Sequence, residues 1–233
     1  MRQVGASNRI EAADLMERIV PVRVWDAPIR LFHWALVILL CVSWLSERLL
    51  WMKLHFLSGY SIIALLLFRV AWGFIGSQTA RFSQFIRGPL AALRHLVHLF
   101  RGEPDNEIGH NPVGGWMVLV MLALLVLQVA TGLFANDDAN TEGPLFDRVG
   151  KDTSDWLSHI HAVNFTLIQI AVVLHIVAIL VYLALKHDLV RPMITGHKRL
   201  PERLPPPSLV SPIRAAILFV IAVVVVVGAV NVW

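Results

Sequence analysis

Five stretches of about twenty apolar residues constrain this chain more than anything else in it: roughly 29–47, 55–76, 113–135, 160–184 and 212–232. A helix needs about 20 such residues to cross the ~30 Å hydrocarbon layer of a bilayer. Backbone polar groups in that layer find no water, so a spanning segment must satisfy its hydrogen bonds within itself, as a helix does. The expected fold is therefore an all-α polytopic transmembrane bundle. Between the spans lie "SERLLWMK", a long loop from Gly76 to Pro112, an acidic loop from Asn136 to Ser158, and the Pro-rich connector "RLPERLPPPSLVSP".

Composition agrees, since 57% of the residues are hydrophobic and 15% charged, where soluble domains sit near half and a quarter. A formal charge of +4 would suit a nucleic-acid partner, but the basic residues lie in alternate flanks, and no nucleic acid is expected. Arg2, Arg9, Arg18, Arg23 and Arg30 lie in the N-terminal arm and at the very start of the first span. Arg81, Arg87, Arg94 and Arg101 fill the second loop, and Lys186, Arg191, Lys198, Arg199, Arg203 and Arg214 the fourth. The third loop instead holds Asp137, Asp138, Glu142, Asp147, Asp152 and Asp155. Because Lys and Arg accumulate on the cytoplasmic side, the N-terminus is expected in the cytoplasm and the C-terminus in the periplasm of a bacterial inner membrane. Residues 1–24 read as a polar cytoplasmic arm without the apolar core of a signal peptide. "PLAALRHLVHLFRG" reads as an amphipathic helix on the cytoplasmic surface, with His95 and His98 on its polar side.

Four histidines fall inside the spans. His33 lies one turn inside the cytoplasmic end of the first, and His55 at the outer end of the second. The fourth span carries His161 near its outer end and His175 fourteen residues deeper. Fourteen residues cover roughly 21 Å of helix and end about 40° short of four full turns. One helix thus presents two imidazoles on nearly one face at two depths, His161 level with His55 and His175 level with His33. Polar groups are expensive in a bilayer and are by default functional there. A neutral imidazole ligates haem iron, and two fill both axial positions, which makes an electron carrier. The depths therefore point to two haem b groups, an outer one on His55 and His161 and an inner one on His33 and His175. His159 points nearly opposite His161, toward the surface. The lone Cys41 excludes an intrachain disulfide, a four-cysteine cluster or a C-x-x-C-H attachment. Arg69, fourteen residues after His55, would face an inner haem propionate. Gly59 and Gly132 offer surfaces on which a macrocycle can pack.

The segments "RVWDAPIRLFHW", "LHFLSGYSIIALLLFRVAWGFIGS", "RFSQFIRGP", "GHNPVGGWMVLV", "LQVATGLFAND" and "HAVNFTLIQIAVVLH" together resemble the bacterial cytochrome b561 and hydrogenase b-type cytochrome family. The resemblance runs from about Val22 to Lys198. It implies a four-helix di-haem core (here 25–200) plus a fifth transmembrane helix after the connector (201–233), with His33, His55, His161 and His175 at the ligand positions. It also implies a quinone site near the cytoplasmic haem, where His110 and Asn111 could meet a quinone oxygen and Gly114 and Gly115 let the ring approach. Two features depart from the pattern. Ala162 stands where relatives often place a carboxylate, and no tail is expected beyond the fifth span.

The resulting expectation is a di-haem cytochrome passing electrons between quinone and a periplasmic redox protein, such as a hydrogenase, a dehydrogenase or a cytochrome c. It would be a subunit rather than a free-standing enzyme, with lipid around it and the acidic third loop steering a basic partner. A self-contained superoxide:quinone oxidoreductase would need a basic outer funnel, for which only Arg48, Lys53, Arg148 and Lys151 argue. A histidine-based proton or metal transporter would leave the matched depths unexplained. The fifth span packs on the bundle, on a partner, or on a second copy to give a homodimer, and its lone Gly228 does not choose among these.

Overall fold

The first and third spans begin by the same device. Asp26 in "WDAPIR" accepts a hydrogen bond from the Ile29 amide (2.8 Å) and starts α1, Ala27–Arg48. Asn111 in "HNPVGG" accepts from the Gly114 amide (2.8 Å) and starts α5, Pro112–Gly132. In both helices a proline occupies one of the first two positions, where its missing N–H costs nothing.

The computed structural model describes residues 18–101, 107–139 and 141–232, apart from the side chains of 98–100 and 231–232. The first 17 residues of the expected arm and the His98 side chain thus lie outside the described residues. In chain order the elements are β1 (Ile19–Arg23), α1, α2 (Met52–Ile75), the one-turn α3 (Phe82–Phe85), α4 (Pro89–Phe100), α5, α6 (Lys151–Ala184), α7 (Val190–Thr195), β2 (His197–Pro201) and α8 (Pro212–Val232). Of these, α1, α2, α5, α6 and α8 are long and apolar enough to cross a membrane.

The α1–α2 pair and the α5–α6 pair meet chiefly along α2 and α5. The fifth span has a definite place: α8 packs on α2, burying Ala215, Ala222 and Val226, while Phe219 meets Phe68 edge-on at 6.0 Å. Small residues let membrane helices approach, and the two alanines supply that here. The connector before α8 is strapped down. The Val210 amide donates to Ser77 Oγ (3.0 Å), and Gln78 and Ser208 exchange backbone and side-chain hydrogen bonds.

The fourth span's helix begins at Lys151, more than two turns before the expected 160. At about 1.5 Å per residue its 34 residues reach roughly 51 Å, well beyond the hydrocarbon layer. The projecting turns are held by the third loop. Lys151 pairs with Asp138 and Asp155, Ser154 donates to the Phe134 carbonyl (2.7 Å), and Asn136 donates to Ser154 and Asp155. A small element also stands outside the all-helical expectation. β1 pairs antiparallel with β2, Ile19 opposite Pro201 and Arg23 opposite His197. The turn into β2 needs Gly196 in the left-handed region (φ 85°), where its carbonyl receives the Val24 and Trp25 amides. We call this the ribbon end of the bundle and the opposite one the loop end. The best-packed core lies at the ribbon end, around Val24, Trp72 and Leu200, each at most 1% exposed.

The amphipathic surface helix forms as α4 and lies beside α5. His95, expected on its solvated side, instead brings Nε2 to within 3.1 Å of Tyr182 Oη. An aromatic hydroxyl on the neighbouring long helix outcompetes water for that ring.

Candidate functional site

At the loop end, α2 presents His55 and α6 presents His161, their ring centroids 6.4 Å apart. His55 Nδ1 lies 3.0 Å from the Ser43 carbonyl, and His161 Nδ1 lies 2.9 Å from the Gln128 carbonyl. A carbonyl can only accept, so each Nδ1 carries the proton and each Nε2 keeps its lone pair. The Gln128 side-chain amide donates to His161 Nε2 at 3.1 Å, consistent with the same tautomer, and a metal on that nitrogen would displace this bond. This is the state an imidazole needs to ligate a metal, and a backbone carbonyl on the other nitrogen is the usual partner that orients such a ligand.

A cavity of about 470 Å³ opens between these histidines, lined also by Gly59, Tyr60, Gln128, Gly132 and Phe165. That volume falls within the range of cofactor pockets. A Cβ at Gly59 would meet nothing within 4 Å. A Cβ at Gly132 would lie 2.8 Å from His161 Cε1, so only glycine there lets the imidazole stand where it does.

At the ribbon end, α1 brings His33, α2 Arg69, α6 His175, and the segment before α5 His110. His33 and His175 lie within electrostatic range of each other, as do His110, Arg69 and His175. Arg69 is 3% exposed and its guanidinium sits over the Phe82 ring at 5.0 Å. Asp26 is the carboxylate that acts on it, yet the Asp26 oxygens already accept from the Ile29 amide and from Trp72 Nε1 (3.0 Å). Arg69 Nη1, His33 Nδ1 and His110 Nδ1 are all enclosed without a hydrogen-bond partner among the described residues. Each such group costs about 1–3 kcal/mol, more if charged. Three at one level suit an additional group with anionic oxygens and a metal.

His110 is held between Trp25 (4.6 Å) and Phe85 (4.7 Å). Burial, reinforced by Arg69 and His175, pushes its pKa down to about 3. It is therefore a neutral hydrogen-bonding group at physiological pH. Asn111 has its polar atoms committed, Oδ1 to the Gly114 amide and Nδ2 to Tyr182 Oη (2.8 Å). Asn111 and Gly114 come together as a helix cap, and Gly115 packs against Phe85, whose carbonyl a Cβ would meet at 2.6 Å. His159 is exposed and takes no part in either cluster.

Ser43, Gln128, Asn164 and Tyr182 belong to these clusters and were not singled out from sequence. The signal for two of them was available. Gln128 and Asn164 are amides inside otherwise apolar spans, where polar side chains are functional by default.

Residues 24–196 match the family model described as Prokaryotic cytochrome b561. Among curated proteins, the chain is similar to the probable Ni/Fe-hydrogenase B-type cytochrome subunits of Azotobacter chroococcum mcd 1 and Rhizobium leguminosarum bv. viciae. The Azotobacter protein is 25% identical, over 78% of this chain and 88% of its own length. The Rhizobium protein is 23% identical, over 78% and 90%. The probable Ni/Fe-hydrogenase 1 B-type cytochrome subunit of Escherichia coli (strain K12) is 24% identical over 50% of this chain, and the match spans only 60% of that relative's length. No solved structure matches. Five membrane-length helices, two histidine clusters at two levels and a match that runs through both make this chain a multi-pass membrane protein of the prokaryotic cytochrome b561 family.

Proposed function

We propose that this protein is a membrane di-haem b-type cytochrome that carries electrons across the inner membrane between a periplasmic redox partner and the quinone pool. The observation that carries the reading is the state of the loop-end histidines. Both donate Nδ1–H to a main-chain carbonyl, which leaves Nε2 as the unprotonated nitrogen, and both line a cavity of cofactor size. The enclosed Nδ1 of His33 and Nη1 of Arg69 support a second site at the ribbon end.

A bound haem b supplies a one-electron couple at its iron. His55 and His161 would hold the outer group and His33 and His175 the inner one, with Arg69 donating to an inner propionate. Between the two levels Ile62, Leu66, Leu125 and Ile168 pack into an apolar layer. That layer places no charged side chain between the two ends, which favours electron transfer over ion passage. At the cytoplasmic side a quinone takes up two electrons and two protons to become a quinol, or releases them in reverse. Because Asn111 is committed to its cap and to Tyr182, His110 Nδ1 is the group left to meet a quinone oxygen, beside Gly114. Neutral throughout the physiological range, His110 would orient the quinone rather than carry its protons. The names of the Azotobacter and Rhizobium relatives favour a hydrogenase over a dehydrogenase or a cytochrome c as the periplasmic partner.

The test is a dithionite-reduced minus oxidised spectrum of the purified protein with a pyridine haemochrome count. Two b haems per chain are expected. Protein from haem-replete cells that contains none refutes the reading.

A further inference from the structure

Quinone reduction consumes two protons as well as two electrons, and the groups beside the proposed quinone position cannot supply them. His110 is neutral with its pKa near 3, and Arg69 carries a guanidinium, which does not release its proton in a protein. Asp26 is buried, and its oxygens already accept from the Ile29 amide and from Trp72 Nε1. The protons have to reach this cluster from outside it.

One hydroxyl connects the cluster to the surface. The His110 ring, the Asn111 amide and the bare Cα of Gly114 converge, since a Cβ at Gly114 would lie 3.3 Å from Asn111 Oδ1 and 4.0 Å from His110 Cδ2. Asn111 Nδ2 donates to Tyr182 Oη (2.8 Å), and the same oxygen lies 3.1 Å from His95 Nε2. Tyr182 is buried, whereas His95 is partly exposed on the amphipathic α4. The interior of the ribbon end and its surface are thus joined through one phenol and one imidazole.

These two groups do more than hold helices together. Burying a hydroxyl is costly, and an apolar pair would tie α4 to α6 without that cost. The Asn111 amide fixes the phenol oxygen without exchanging its own proton. An imidazole, by contrast, is the side chain that most readily gains and loses a proton at physiological pH. A proton crosses the Tyr182–His95 contact in either direction. The hydroxyl donates to an unprotonated Nε2, and the Nε2–H of an imidazolium donates to the phenol oxygen.

We propose that Tyr182 and His95 are the proton-carrying pair of the quinone site: the Tyr182 hydroxyl hands its proton to the reduced quinone and takes one back from His95, which recharges from water at the ribbon-end surface. This rests on the quinone reading above. In each transfer the Tyr182 O–H bond breaks as a new O–H forms on the quinone, and the proton of His95 Nε2 then restores the hydroxyl. Two such transfers accompany the two electrons that make a quinol. Neither side chain is oxidised or reduced, and quinol oxidation runs the same steps backward.

The experiment is stopped-flow oxidation of the reduced holoprotein, freed of excess dithionite, by menadione and by decylubiquinone, read from the haem spectrum. Wild type stands beside Tyr182→Phe, His95→Ala and His187→Gln. His187 is a second imidazole on the same tyrosine, but it meets the ring, edge-on at 6.3 Å. General acids contribute about 10²–10⁴-fold, so the saturated rate should fall on the order of 10²-fold in Tyr182→Phe. His95→Ala should slow as well and recover when imidazole is added, while His187→Gln keeps the wild-type rate. Ferricyanide, which takes an electron without a proton, should oxidise all four proteins equally fast. Equilibrium binding of the quinone to the oxidised protein should be unchanged.

Wild-type saturated rates in Tyr182→Phe and His95→Ala, or a loss confined to quinone affinity, overturn the inference and leave the hydroxyl a tie between helices. An equal loss in His187→Gln overturns it too. If Tyr182→Phe fails to accumulate, the partly exposed His95 decides the matter. A loss restored by imidazole supports the inference, and no loss, or one that imidazole does not restore, overturns it. Wild-type protein that lacks haem, or whose haem neither quinone oxidises, overturns the quinone reading and this inference with it, a result distinct from all of these.

Discussion

Replacing Gly132 with alanine adds a single methyl group where the bundle has no room for one. The new Cβ would stand 2.8 Å from His161 Cε1 and 3.2 Å from its Nδ1. Carbon atoms prefer separations of about 3.5–4.0 Å, so the ring must retreat by roughly 0.7–1.2 Å. The Nδ1–H bond to the Gln128 carbonyl, now 2.9 Å, then stretches out of its working range. Overpacking of this kind costs about 1–3 kcal/mol, which corresponds to roughly 5- to 150-fold weaker retention of a group ligated by that ring. The assay is haem per chain by pyridine haemochrome, with the reduced-minus-oxidised spectrum of the remainder. Gly132→Ala should lose most of the outer haem and keep the inner one. Gly59→Ala makes the comparison informative, because its methyl meets no protein atom within 4 Å. Any haem lost there reports on the macrocycle rather than on the imidazole. A Gly132→Ala protein with two haems and an unchanged spectrum would refute the placement of His161 as a ligand.

Three further outcomes follow from the same geometry. His55→Ala and His175→Ala should each remove one haem per chain, whereas the exposed His159→Ala should remove none, as read by difference spectra. His110, with its pKa near 3 against an ordinary 6.5, stays neutral when folded while the unfolded chain takes up a proton. Its share of stability is thus complete above pH 6.5 and declines toward pH 3, by up to about 1.4 kcal/mol per pH unit. His110→Leu should flatten that slope in detergent melts between pH 7 and 4.5, and an equally steep slope in the variant counts against the buried neutral ring. Tyr182→Phe leaves the buried Asn111 amide and His95 without their shared hydroxyl, at a cost of about 1–3 kcal/mol. A melting temperature equal to wild type would show that the cluster contributes nothing.

The spans were legible because a bilayer imposes length and apolarity on each segment separately. Four of the five helices begin and end within a few residues of the expected limits, and the exception has a local cause. The Lys151–Ser154–Asp155 turns are polar and read as loop, yet hydrogen bonds to Phe134 and Asn136 make them helix. The β1–β2 ribbon escaped notice because each strand is five residues long and its partner lies some 180 positions away. The pattern "GHNPVGG" points toward quinone, but which of its polar atoms remain available depends on Tyr182, 71 residues on from Asn111.

By itself the sequence determined where the five membrane-length helices lie, and it placed His55 with His161 toward one end of the bundle and His33 with His175 toward the other. All of these follow from hydrophobic run length and from the helical rise. Only the tertiary structure decided that α8 leans on α2, that Arg69 Nη1 stands without a hydrogen-bond partner among the described residues, and that the Gln128 carbonyl receives the His161 proton across 33 residues of sequence. Hydrogen bonding is short-ranged and directional. Which donor meets which acceptor is therefore settled by how the helices pack, and the pattern of any single helix does not contain it.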